Sequence, residues 1–225
     1  GVPELGAIGR GENTEITNYL ERTLASELSG NMIDLCPVGA LTSGPYAFAA
    51  RPWELTKTES VDVLDAVGSN IRIDARGPEI LRVLPRINED VNEEWISDKS
   101  RFACDGLQRQ RLDRPYVRAD GKLKPATWEE AFQAINGAIE RVSGSAIAAI
   151  AGDLADCESM LALRDLMKSL GSNNLDCRQD GAKLDPSARA SYLFNSTISG
   201  IEDADALLLV GCNPRVEAPV LNARI

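Results

Sequence analysis

Hydrophobic and polar positions alternate from Trp53 to Arg86: Val61 and Val63, then Ile71 and Ile73, then Ile80 and Val83 stand among charged or hydroxyl neighbours. Successive side chains of a strand point to opposite faces, and Gly68-Ser69 and Gly77-Pro78 punctuate the runs. The stretch therefore predicts a small antiparallel sheet with one face exposed. Upstream, Glu4 to Gly11 and Thr14 to Tyr19 read as two extended pieces around a Gly, Glu and Asn turn, a hairpin. Ser26 or Ser29 then caps a short helix running toward Leu35, Ser43-Gly44-Pro45 and Pro52 break regular structure, and Tyr46 to Ala50 forms a helix or turn between them. After the sheet, Asn88 to Leu107 is polar, with a helix expected near Glu93 to Ile96.

The period changes at Thr127. Thr127-Trp-Glu-Glu130 has the form of a capping box, and Ala131, Phe132, Ile135, Ala138, Ile139 and Val142 follow at helical spacing, predicting a helix with one buried face that ends at Gly144. Ala146 to Ala151 is a continuous apolar run stopped by Gly152-Asp153, as in a central parallel strand. A helix from about Asp156 to Leu170, with Met160, Leu163, Leu166, Met167 and Leu170 inward, a short strand at Asn174 to Asp176, and a last strand at Ala206 to Val210 complete the alternation. Strand and helix in turn predict an α/β domain of two or three units.

Composition narrows the chemistry. With 225 residues and 44% apolar content the chain can bury a core. A net charge of −10 excludes a nucleic-acid partner that works by phosphate neutralisation. No apolar run reaches the roughly 18 residues that a membrane span needs, so direct membrane insertion is not expected. The sequence contains no His, which removes His-based triads, His-ligated zinc and His general-base chemistry from this chain. Five unpatterned cysteines suit a reducing compartment rather than a disulfide framework. Gly1-Val-Pro-Glu-Leu5 lacks an initiating Met, and the close at Asn222-Ala-Arg-Ile225 falls inside a helical pattern, so the chain reads as a segment of a longer protein.

The chemistry concentrates at Cys36-Pro37-Val38-Gly39-Ala40-Leu41-Thr42. A Cys directly before Pro is a ligand position in cluster-binding runs; Pro fixes φ and offers no N–H, and Gly lets the backbone pass close to an inorganic core. Three further thiolates at Cys-x-x-Cys-x-x-Cys spacing are needed for a [4Fe–4S] cluster, and this chain has none. Cys36 is thus the candidate metal ligand, and Cys157, Cys177 and Cys212 read as small buried hydrophobes. Gly211-Cys-Asn-Pro214 and Gly152-Asp153 stand where open α/β sheets bind anions, but both also read as ordinary strand-to-helix turns.

Cys36-Pro-Val-Gly-Ala-Leu-Thr42, the run Ile71 to Phe102, Asp105 to Tyr116 and Leu209 to Ile225 together resemble the large iron–sulfur subunit, the G chain, of respiratory complex I, NADH–quinone oxidoreductase. The resemblance covers essentially the whole chain. It implies a mixed α+β and α/β fold: residues 1–52 as the end of a ferredoxin-like [4Fe–4S] region, 53–112 as a small mainly β domain similar to the cluster domain of molybdopterin enzymes, and 113–225 as the start of a molybdopterin-oxidoreductase-like α/β domain. Cys36 matches the fourth ligand of a [4Fe–4S] cluster whose other three lie outside this chain, and Val38, Ala40 and Leu41 would wall it. Cys104 matches the last of four ligands in the second domain, whose other three are absent here. Further iron–sulfur clusters belong to the preceding region, and no molybdenum is expected. The implied function is relay of electrons from NADH through such clusters toward quinone. The implied partners are other peripheral-arm subunits of the complex. The implied location is the cytoplasmic face of a bacterial inner membrane or the matrix face of the mitochondrial one. Two alternatives stand beside this: a structural scaffold of the same assembly that does no chemistry, and a true molybdopterin oxidoreductase, which calls for a four-Cys motif before residue 104.

Overall fold

A computed structural model describes residues 4–18, 22–177, 181–185 and 187–225. The chain divides into two compact units, Gly1–Arg109 with Phe194–Ile225, and Gln110–Leu193.

In the first unit, β1 (Leu5–Ile8) and β2 (Glu15–Asn18) pair antiparallel as the expected hairpin, with Leu5 opposite Asn18. Tyr19, the end of the predicted second piece, lies outside the described residues. Helix α1 (Asn31–Leu35) ends at Cys36 as predicted. Its N-cap, however, is Gly30, with no capping side chain of its own, rather than Ser26 or Ser29. The predicted sheet forms as β3 (Thr56–Val61), β4 (Asn70–Arg76) and β5 (Glu79–Pro85), antiparallel in that order. Its buried face carries Ile71 and Val83, which pack with fully buried Ile96 and half-buried Ile73, Ile80 and Cys104. On β4, Asp74 is buried and bridged by two guanidiniums, Arg72 at 2.9 Å and Arg82 at 2.8 Å. Burial opposes ionisation of Asp74, but these bonds prevail and hold its carboxyl below the usual range.

The helix expected near Glu93 to Ile96 is absent. Asn88 to Glu93 instead close a tight loop in which Glu93 N–H reaches the Asn88 carbonyl at 2.7 Å. The reason is Asn92, fully buried: its Oδ1 accepts from Asn70 N–H at 2.9 Å and its Nδ2 donates to the carbonyls of Arg86, Glu93 and Trp95, so a side chain takes the place of helical backbone bonds. The helix forms later, as α2 (Asp98–Phe102), where the Ser97 hydroxyl accepts from Ser100 N–H.

In the second unit, β6 (Tyr116–Ala119) and β7 (Lys122–Pro125) make a hairpin that leads into α3 (Trp128–Ile139). The capping box is present: Thr127 Oγ1 accepts from Glu130 N–H at 3.2 Å and Glu130 Oε2 accepts from Thr127 N–H at 2.8 Å. Three expectations fail here. Helix α3 ends at Ile139, before Gly144; no residue of it is buried; and Phe132 and Ile135 are each more than half exposed. The apolar run at Ala146 to Ala151 yields only β8 (Ala149–Ile150), which pairs in parallel with β9 (Leu175–Asp176) across α4 (Cys157–Ser169). One strand–helix–strand unit presents too little sheet to cover α3 or to bury both faces of β8. Helix α4 behaves better: Asp156 caps it through Ser159 N–H at 2.6 Å, and Met167 is buried, although Leu166 stays exposed.

The chain then returns to the first unit. Ala206 to Val210, predicted as a strand, has no ladder partner among the described residues, and Leu208 is 88% exposed. Apolar content alone does not make a strand where no edge receives its N–H and C=O groups. Helices α5 (Pro214–Glu217) and α6 (Pro219–Arg224) bring Ala218 and Val220 onto Val67, with Leu28, Trp95 and Ile198 around them. The backbone seals this joint where Ala66 N–H donates to the Glu217 carbonyl at 3.0 Å.

Candidate metal centre

Cys36 sits where α1 stops. Its N–H closes the last helical bond to the Met32 carbonyl at 3.1 Å, and Pro37 then prevents continuation. The turn that follows returns Gly39 N–H to the Cys36 carbonyl at 3.3 Å and needs a left-handed residue, which Gly39 supplies at φ 67°. Folded this way, the loop points donors back at the sulfur: Leu41 N–H donates to Cys36 Sγ at 3.5 Å. The Leu41 amide is the main cause, with help from those of Ala40, Val38 and Gly39, of a Cys36 thiol held below its usual pKa. The sulfur is half-buried and no charged side chain contributes to that shift, so backbone dipoles alone favour the thiolate.

This donor set fits one ligand position of an iron–sulfur cluster, a soft thiolate with N–H groups turned toward it. The side chains expected as a wall divide. Val38 is 83% exposed and Ala40 is exposed too, and the cavity of about 550 Å³ that Ala40 and Leu41 line with Met32 and Phe102 does not take in Cys36. Among the described residues no group of three or more metal-binding side chains gathers, here or elsewhere.

The other cysteines differ from one another. Cys104 is half-buried against the Ile71, Val83 and Ile96 cluster, and burial pushes its thiol up, the reverse of Cys36. Cys157, Cys177 and Cys212 are exposed rather than buried as expected, each standing on a helix start, strand end or loop outside both buried clusters of the first unit. At Gly211 to Pro214 the preceding strand is missing and α5 is four residues long. Asn213 N–H is taken by Glu217 Oε1 at 3.3 Å, so the turn behaves as an ordinary one.

A family model described as "Molybdopterin oxidoreductase" matches residues 111–225. Residues 55–105 match an "NADH-ubiquinone oxidoreductase NDSU1/NuoG-like, 4Fe-4S domain" model, and residues 1–42 match an "NADH-quinone oxidoreductase subunit 3, ferredoxin-like domain" model. Over all of its length the chain is 59% identical to the G subunit of the NADH-quinone oxidoreductase of Rickettsia conorii, covering 34% of that protein. It is 58% identical to the mitochondrial NADH-ubiquinone oxidoreductase 78 kDa subunit of Candida albicans, and 56% identical to the mitochondrial NADH dehydrogenase [ubiquinone] iron-sulfur protein 1 of Solanum tuberosum. The matches cover 100% of this chain and 32% and 31% of those two proteins. The chain belongs to the molybdopterin oxidoreductase family. It spans about one third of the length of the curated relatives it matches.

Within this family member, the sequence led to Cys36 but not to the residues that hold it. Asp98 of α2 accepts from Gly30 N–H at 2.7 Å and from the Ser29 hydroxyl at 2.5 Å. Arg101 reaches Asn31 Oδ1 at 3.0 Å and Asp34 Oδ2 at 2.6 Å, and Asn31 exchanges two bonds with the Ile96 backbone. These partners lie 65 to 70 positions away in sequence, and no local pattern announces them.

Proposed function

We propose that this chain is part of an electron-transfer subunit of NADH:quinone oxidoreductase, respiratory complex I, and that Cys36 supplies one thiolate to a [4Fe–4S] cluster whose other ligands come from outside the chain. The observation that carries the reading is the Cys-Pro turn that brings the Leu41 amide onto Cys36 Sγ. Such a cluster, when bound, takes up and gives back one electron. The chain's own part is to present a sulfur whose thiol is biased toward ionisation by the surrounding backbone, with the Leu41 amide bonded to it. Amides that bond to sulfur stabilise added negative charge and so raise the tendency to accept an electron.

The domain boundaries follow this reading: 1–52 as the end of a ferredoxin-like region, 53–112 as a small β domain and 113–225 as the start of the α/β domain. The matched ranges 1–42, 55–105 and 111–225 support them. Partners are then the other peripheral-arm subunits, on the cytoplasmic face of a bacterial inner membrane or the matrix face in mitochondria. No helix among the described residues is long and apolar enough to cross a membrane, which agrees with a peripheral position.

The second reading, a scaffold without chemistry, is favoured for the rest of the chain by Cys104, whose raised thiol packs into a hydrophobic cluster. Cys36→Ser and Cys104→Ala in the full-length subunit, assembled in its complex, separate the two. Iron and acid-labile sulfide analysis with low-temperature EPR should lose one cluster signature in the first variant and none in the second. An unchanged iron content and spectrum in Cys36→Ser would leave only the scaffold.

A further inference from the structure

We propose that Asp98 and Arg101 are positioning residues for the Cys36 thiolate, gripping the helix that ends at it from its N-terminus and from its flank. The inference rests on Cys36 as a cluster ligand and adds the device that fixes it. Helix α1 has five residues, far fewer than an isolated helix needs to persist in water, so its direction must be set from outside. Asp98 does this at the start, where its carboxylate takes Gly30 N–H and the Ser29 hydroxyl and replaces the missing cap. Arg101, 5% exposed, does it along the side by bonding Asn31 and Asp34. Asp34 lies two residues before Cys36, and its ion pair with Arg101 ties that end of α1 to α2.

Gly30 shows how tight the grip is. A Cβ on it would stand 2.7 Å from Arg101 Cδ and 2.8 Å from both Arg101 Nε and Asp98 Oδ1, so a side chain here would displace the two groups that hold α1. The aim of the Cys36 sulfur and of the amides behind it therefore depends on two side chains that never touch it. A rotation of α1 changes N–H to sulfur geometry, to which cluster potential responds.

The test uses the full-length subunit in its complex, with Asp98→Ala, Asp98→Asn, Arg101→Ala, Arg101→Lys, Val83→Ala as a buried control in the same unit, and Cys36→Ser. The readouts are EPR g-values, the midpoint potential of the cluster lost in Cys36→Ser, and amide hydrogen exchange over residues 31–41. Asp98→Ala and Arg101→Ala are expected to shift the g-values and the potential and to speed exchange at least tenfold. Asp98→Asn, which keeps an acceptor for Gly30, should return close to the parent, and Arg101→Lys should fall between. Val83→Ala should lower the melting temperature and leave spectrum and potential unchanged. Should the alanine variants not assemble, Arg101→Lys carries the comparison, with Asp98→Asn as its near-parental reference. Unchanged spectra and potential in Asp98→Ala and Arg101→Ala or, where those do not assemble, in Arg101→Lys, or an equal shift in Val83→Ala, would overturn the positioning role. Retention of every cluster by Cys36→Ser would instead overturn the ligand reading beneath it.

Discussion

Residues 4–109 with 194–225 and residues 110–193 start from similar local signals and end in different kinds of structure. In the first unit buried polar side chains tie segments more than sixty residues apart, Asn31 to Ile96 and Arg101 to Asp34. In the second, Ser172 binds the Ile147 carbonyl and Asn174 that of Ser145, contacts within a single strand–helix–strand turn. The first unit assembles two buried hydrophobic clusters; in the second Met167 and Ala151 are the buried apolar side chains among the described residues, and α3 keeps its apolar face in water. An amphipathic pattern thus reports that a face is able to be covered. Whether it is covered depends on what else is present.

Substitutions can break or sharpen this contrast. Ile96→Ala, at a fully buried site, should cost about 3–4 kcal/mol in denaturant unfolding of the first unit, whereas Phe132→Ala on the open face of α3 should change the second by less than about 1 kcal/mol. Equal losses would remove the distinction. Asp74→Asn should cost about 2–3 kcal/mol at neutral pH, because two guanidiniums lose their counter-charge, less than for a fully buried pair since both arginines are partly exposed to solvent. The sign of its pH dependence follows from the depressed carboxyl. The stabilisation is present above the ordinary value of 3.8 and is lost as pH falls through the lower native one, so parent and variant should converge in acid melts.

Thr127→Ala removes half of the capping box and should cost about 1 kcal/mol, seen as loss of helicity by circular dichroism and confined to the second unit. Asp65→Asn should give the smallest effect, and a favourable one. Burial, then the nearby Asp62 charge, raise the Asp65 carboxyl against the opposing Val67 N–H, which Asn can still engage. A raised native value makes the ionised form a cost at neutral pH that fades as pH drops through that value toward 3.8. The variant should therefore melt about 1–3 °C higher at pH 7, with the gain shrinking in acid. No gain at pH 7 would show that Asp65 is as well solvated as in the unfolded chain.

Much of this molecule was written locally. The hairpin at residues 5–18, the three-stranded sheet, the capping box at Thr127, the α4 helix and the arrival of Cys36 at a helix end all follow from period, caps and turns, signals carried within neighbouring stretches of chain. So does Gly39, because its turn admits only a residue tolerant of positive φ. The tertiary structure decided the remainder. Asn92 turned an expected helix into a loop by reaching Asn70, the run at Ala206 to Val210 stayed unpaired, and Cys104 went into a hydrophobic cluster while Cys157, Cys177 and Cys212 stayed at the surface. Above all, Asp98 and Arg101 met α1 across more than sixty residues of chain. Local sequence sets which conformations are cheap for a segment. Desolvation and polar pairing between remote segments choose among them, and those energies exist only once the partners have been brought together.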